Sequence, residues 1–151
     1  MAKTIFLAFE GGDGSGKGTQ FDLMVARLKK EGFKVGTQDF PRYGHPSAYA
    51  IERYLNGDYG QDVDGYQASV FYATDRYDAW TNSSNGPSWR DVFDDYDFWL
   101  TNRYTTSNMG HQAGKAKTPE EREAIIQFIE DLEYGTLGLP KPDDVFFLDM
   151  D

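Results

Sequence analysis

The first thirty residues leave this chain little choice of fold. TIFLAF at 4–9 is a short, nearly continuous apolar run, the pattern of a strand buried on both faces. GGDGSGKG follows at once, and from Lys17 to Glu31 the apolar residues Phe21, Met24, Val25 and Leu28 recur at helical spacing. Gly32 stops that helix, and 33–40 reads as a second strand closed by Pro41. Strand, glycine loop, helix and strand make a βαβ unit, which implies an α/β fold with a parallel sheet.

The loop has the spacing Gly11-x-x-x-x-Gly16-Lys17 between strand and helix, the pattern of a phosphate-binding loop. Gly11, Gly12, Asp13, Gly14, Ser15, Gly16, Lys17, Gly18 and Thr19 are therefore the expected nucleotide-phosphate contacts, which the resemblance given below makes those of ATP. Glycines let successive N–H groups converge on phosphate oxygens, the helix adds its positive end, and Lys17 reaches the terminal phosphates. Gly18 stands where a magnesium-ligating hydroxyl usually follows the lysine, so Thr19 is the next hydroxyl available to a metal.

Composition narrows the rest. With 151 residues and 39% hydrophobic residues, the chain can build a real core. Its net charge of −10 argues against binding to nucleic acid or an anionic membrane surface. It has no cysteine, and the opening apolar run is too short for a leader or a span, so a soluble cytoplasmic protein is expected.

Further along, 46–56 and 64–80 read as helices and NSSNGPS at 82–88 as a loop. DFWLT at 97–101 reads as a third strand. Thr118 opens a helix with Pro119 and Glu121 in capping positions, and Ile125, Phe128, Ile129 and Leu132 form its apolar face. VFFLD at 145–149 reads as a last strand. Arg42, Arg76 and Arg103 stand at element ends beside aromatics, and arginine's planar fork suits phosphate.

GGDGSGKGTQ, DFPRYG, FYATDR, NRYTTSNMGHQ and LPKPDDVFFLD, in that order, resemble the thymidylate kinase family. The resemblance runs from Ala2 to Asp151 and implies a three-layer P-loop nucleoside-monophosphate-kinase-like fold. It further implies one kinase domain over 1–151, C-terminally incomplete after the strand at 145–149. The implied activity is phosphoryl transfer from ATP to dTMP, giving dTDP, with Mg2+ accompanying ATP; the alternatives are a catalytically silent nucleotide-binding fragment or a deoxynucleoside kinase. By position, Lys17 and Arg103 would be catalytic. Asp13 would accept from the deoxyribose 3′-hydroxyl, and Arg42 and Arg103 would grip the dTMP phosphate. Tyr72 would stack on thymine, with Arg76 on the same helical face hydrogen-bonding the base. Gln112 would reach the thymine edge, and His111 aligns with an aromatic near the sugar. A homodimer is likewise implied.

The chain departs from the family at two places. Asn102 replaces the aspartate of Asp-Arg-Tyr, keeping an oxygen for the metal but losing the charge. Gly14 stands where some members carry an arginine, and the sequence ends at Asp151, before any basic lid. An arginine at the γ-phosphate is worth about 10³ to 10⁵ in rate, so the chain is expected to bind nucleotides better than it catalyses. Lys115 and Lys117 follow the acceptor motif with nothing in the sequence to aim them at the γ-phosphate.

Overall fold

The computed structural model describes residues 2–150; the outermost residues of the expected 1–151 domain, Met1 and Asp151, lie outside the described residues. Along the chain run β1 (Ile5–Gly11), α1 (Lys17–Lys30), β2 (Val35–Asp39), α2 (Tyr49–Leu55) and α3 (Gly65–Thr81). Then come α4 (Trp89–Val92), β3 (Phe98–Asn102), α5 (Thr105–Ala113), α6 (Pro119–Glu130) and β4 (Asp144–Leu148). The described residues divide into two compact units, one of residues 2–40, 81–104 and 141–150, the other of Pro41–Trp80 and Thr105–Pro140.

The first unit holds the sheet. All pairings are parallel and the order is β2-β3-β1-β4. Parallel strands need crossover connections, and α1 supplies the one from β1 to β2. Phe21, Met24, Val25 and Leu28 of α1 pack on Leu7, Phe9, Val35 and Leu100 of the sheet, as the helical spacing predicts. Phe6 meets Trp89, Phe93 and Tyr104 edge-on, with centroids 5.6, 6.0 and 5.0 Å away. Those aromatics bring Ser88–Tyr104 into the core of this unit. The register sets Phe9 opposite Asn102 and Asn102 opposite Asp39, so three strands end together at one edge of the sheet. That carboxyl edge is where ligands bind in open parallel sheets. β4 pairs with β1 alone, and Val145, Phe146 and Phe147 are exposed.

The second unit is helical. α3 starts with a reciprocal cap: Gln67 N donates to Asp64 Oδ1 at 2.8 Å and Asp64 N to Gln67 Oε1 at 3.1 Å. α6 starts as its sequence predicts, with Pro119 first and Thr118 Oγ1 accepting from Glu121 N. Ile51, Ala68, Ala73, Ile125, Ile129 and Leu139 are buried.

Several bounds shift from expectation. The helix expected at 46–56 is a 3₁₀ turn (Pro46–Ala48) followed by α2, with Pro46 at the start of the turn. The strand expected from 33 begins at Val35: Phe33 N is still bonded to Leu28 O, and Lys34 N donates to the Asp97 carboxylate. The loop at 82–88 runs into α4, where Ser88 and Asp91 form a capping box. After α6 the chain widens into a π turn, Asp131–Thr136, which the apolar spacing does not signal. Among the described residues no helix is long and apolar enough to cross a membrane.

Candidate functional site

The glycine loop leaves β1 at the carboxyl edge of the sheet. Gly14 (φ 77°) and Gly16 (φ 83°) are left-handed, a conformation that strains any side chain with a Cβ. Ser15 N closes the turn on Gly12 O at 3.2 Å, and Gln20 N donates to Gly16 O as α1 begins. α1 has no side-chain cap and no acid in its first turn, so its leading amides remain available to an outside anion. Ser15 Oγ is buried and has no hydrogen-bond partner among the described residues.

Around this loop the first unit gathers charge. Lys17 Nζ donates to Asn102 Oδ1 at 2.6 Å, so the amide that replaces the expected aspartate holds the loop lysine. Burial first, and then the Arg103 charge, push the Lys17 ammonium below its ordinary value, while Asp39, Glu10 and Asp13 oppose that shift. Asp39 is pushed up chiefly by desolvation, against the pull of Lys17 and Arg103. Arg103 is the one non-glycine with positive φ (65°) among the described residues, and its side chain is 25% exposed. A non-glycine held there reflects local constraint, often at a functional position. Its Nη2 donates to the fully exposed Asp13 at 3.1 Å, and Arg103 N is tied to Phe9 O. Thr19 is exposed on the first turn of α1.

The second unit holds the other expected residues. Arg42 is clamped: Nε donates to Asp75 Oδ1 at 3.0 Å, Nη2 to Asp78 Oδ2 at 2.6 Å and to Ser47 Oγ at 2.8 Å. Tyr72 lies one turn before Arg76 on α3, its ring edge-on to Tyr54 with centroids 6.4 Å apart. Arg76 is 3% exposed and forms a two-pronged ion pair with Glu133, Nε to Oε1 and Nη2 to Oε2, the second at 3.0 Å. Asn108 Nδ2 donates to Ser69 O and to Glu133 Oε2, each at 3.1 Å. Gln112, one turn further along α5, is buried, and its Oε1 and Asn108 Oδ1 have no hydrogen-bond partner among the described residues. His111 is exposed in the last turn of α5. Lys115 lies over the Tyr54 ring and donates to its hydroxyl, and with Lys117 it lines an open cavity of about 920 Å³ in this unit.

Four acids and an amide here were not singled out from sequence. Asp39 and Asn108 carry no local signal. Asp75 sits inside FYATDR, but the arginine it neutralises is Arg42, 33 residues earlier, which no local pattern signals. Glu10, buried at the end of β1, accepts from Tyr104 N at 2.9 Å. Glu133 had a usable signal: it stands four residues after Ile129 and eight after Ile125, on the buried phase of α6.

The sequence model of the thymidylate kinase family matches residues 9–151. The chain is 30% identical over 141 residues to a thymidylate kinase of Mycobacterium tuberculosis, covering 92% of this chain and 63% of that protein. It is 30% identical over 146 residues to one from Afipia carboxidovorans, covering 96% and 58%. It thus spans less than two thirds of the length of these relatives. Among solved structures, the thymidylate kinase of Candida albicans superposes with a TM-score of 0.71 at 22% identity, covering 100% of this chain and 65% of that one. That of Ehrlichia chaffeensis gives 0.70 at 22%, covering 99% and 78%. At such identities the superpositions establish the fold, an α/β P-loop nucleoside-monophosphate-kinase fold with a parallel sheet.

Proposed function

This chain belongs to the thymidylate kinase family, and we propose on that premise that it transfers the γ-phosphoryl group of ATP to dTMP, giving dTDP and ADP. The observation that carries the reading is the loop of Gly11–Thr19 with Lys17 above it and Arg103 held beside it. In this reaction a phosphate oxygen of dTMP attacks the γ-phosphorus while the bond to the bridging oxygen of ADP breaks. That nucleophile is already ionised at neutral pH, so no general base is required, and catalysis rests on alignment and charge neutralisation.

Within the first unit, the loop amides and Lys17 would hold the transferring phosphates. Arg103 would leave Asp13 for the acceptor phosphate, an exchange made easy because both partners reach solvent. Asp13, released, would accept from the 3′-hydroxyl. Within the second unit, Arg42 would bind acceptor phosphate, Tyr72 would stack on the base, and Arg76 and Gln112 would hydrogen-bond its edge. His111, exposed in the last turn of α5, would stand beside the sugar.

Among the described residues no cluster of three or more acids, histidines or cysteines could hold a metal. The oxygen donors present fit a magnesium ion carried by the nucleotide's own phosphates, which needs only one or two protein oxygens. Thr19 and Asn102 would hold it, and when bound it neutralises phosphate charge. The reading implies a cytoplasmic protein and a homodimer, the second of which sedimentation tests directly.

A coupled ATP assay with dTMP, dUMP, AMP and thymidine tests the reaction. Turnover of dTMP above the others is expected. Equal or greater turnover of thymidine would make the chain a nucleoside kinase, and dTMP binding without dTDP would leave a nucleotide-binding module.

A further inference from the structure

We propose that Asp78 is the resident anion of the acceptor-phosphate site. It would hold one end of Arg42 while that site is empty, compete with the incoming phosphate, and so set how strongly a nucleotide is preferred over its nucleoside. The inference rests on the dTMP reading above, in which Arg42 binds the acceptor phosphate.

One nitrogen of Arg42 has more acceptors than it can serve. Nη2 carries two hydrogens and faces three oxygens: Ser47 Oγ at 2.8 Å, Asp75 O at 3.1 Å and Asp78 Oδ2 at 2.6 Å. One of the three can leave without stranding a donor. Asp75 is not the residue to move. Its side chain is 1% exposed, accepts from Arg42 N at Oδ2, and accepts from Arg42 Nε and Ser47 Oγ at Oδ1. Asp78 lies three residues further along α3, on the same helical face, and is 32% exposed. Arg42 Nη1, on the same carbon as Nη2, has no partner among the described residues.

Charge points the same way. One guanidinium meets two carboxylates, and the buried Asp75 alone neutralises it. Asp78 is therefore a surplus negative charge where a phosphate is to bind, and like charges side by side repel. A phosphate oxygen in the place of Asp78 Oδ2 keeps the bond from Nη2, and a second oxygen gains Nη1, the forked grip that suits phosphate. Asp75 keeps the guanidinium still throughout, so a counter-charge is exchanged and the arginine does not move. The repulsion acts on dTMP whether Asp78 swings aside or stays, and whatever else its carboxylate touches. Thymidine carries no phosphate and escapes it.

Calorimetric titration of the full chain with dTMP, thymidine and ATP, with melting on the same samples, tests this on the wild type, D78N and D78S. D78N keeps the shape and removes the charge, and D78S shortens the side chain as well. In each, dTMP should bind roughly three- to tenfold tighter, with thymidine and ATP unchanged. A purely structural role would lower the melting temperature and move dTMP and thymidine together, which overturns the proposal. So does dTMP affinity at or below the wild-type value in either folded variant. Failure of both variants to fold overturns it too, and assigns Asp78 to stability alone. A wild type that folds, binds ATP and binds neither dTMP nor thymidine overturns the substrate reading and this inference with it.

Discussion

The cations beside the glycine loop and those of the helical unit are held in opposite ways. Arg103 leans on Asp13, which is fully exposed, and Lys17 is bonded to a neutral amide. Arg76 is sealed with Glu133, and Arg42 is locked to Asp75, itself 1% exposed. Exposed pairs such as the first contribute about 0–1 kcal/mol, so little is lost when their partners separate. In the second, one partner cannot leave without stranding a buried charge, which costs about 3–5 kcal/mol. On the proposed reading the first unit can change partners during a reaction, while the second keeps its cations in one state.

The largest expected effect follows from that contrast. Arg76→Met should destabilise the fold by about 3–5 kcal/mol, while Arg103→Met should change it by under about 1 kcal/mol. Urea unfolding of both variants measures the difference, and equal losses would break the comparison. Next, Lys17→Met should lower the turnover number by about 10² to 10³, as loss of one charged transition-state contact does, with the melting temperature nearly unchanged. Steady-state kinetics and a thermal melt on one preparation check it.

A smaller effect separates the units by pH. Tyr134, in the helical unit, is pushed up to about 12, mainly by burial. The stability tied to its neutral form is full below the ordinary tyrosine value and is lost as pH rises through the shifted one. Asp143, in the sheet unit, lies below its ordinary value mainly because Phe6 N donates to it at 2.8 Å. Its contribution is present above the ordinary aspartate value and is lost as pH falls through the shifted one. Tyr134→Phe should therefore blunt alkaline unfolding and Asp143→Asn acid unfolding, each leaving the other limb in place. Tyrosine absorbance and melting curves across pH read both. The smallest effect is at a cap: Thr118→Ala should cost about 1 kcal/mol, with amide exchange rising in α6 and not around the loop.

The same contrast explains what could be read from sequence. The glycine loop, β1, α1 and the cap at Thr118 are set by local rules of spacing, capping and turn chemistry, and they lie within a residue or two of expectation. The order β2-β3-β1-β4 and the meeting of Asp39 with Asn102 depend on pairing between distant segments, which no local pattern encodes. Glu133 was hidden for a further reason. An acid on the buried phase of a helix looks like a break in the apolar stripe until the arginine that neutralises it, 57 residues earlier, is placed beside it. The π turn that aims it is a tertiary adjustment without a propensity of its own.

Phosphorus NMR of the chain with ATP, dTMP and magnesium tests the central claim most directly, because it sees donor and acceptor in one spectrum. The account predicts that dTDP and ADP signals grow together, one for one, as ATP and dTMP decline. Conversion of ATP to ADP and free phosphate with dTMP untouched, or no change at all in a folded sample, would contradict it.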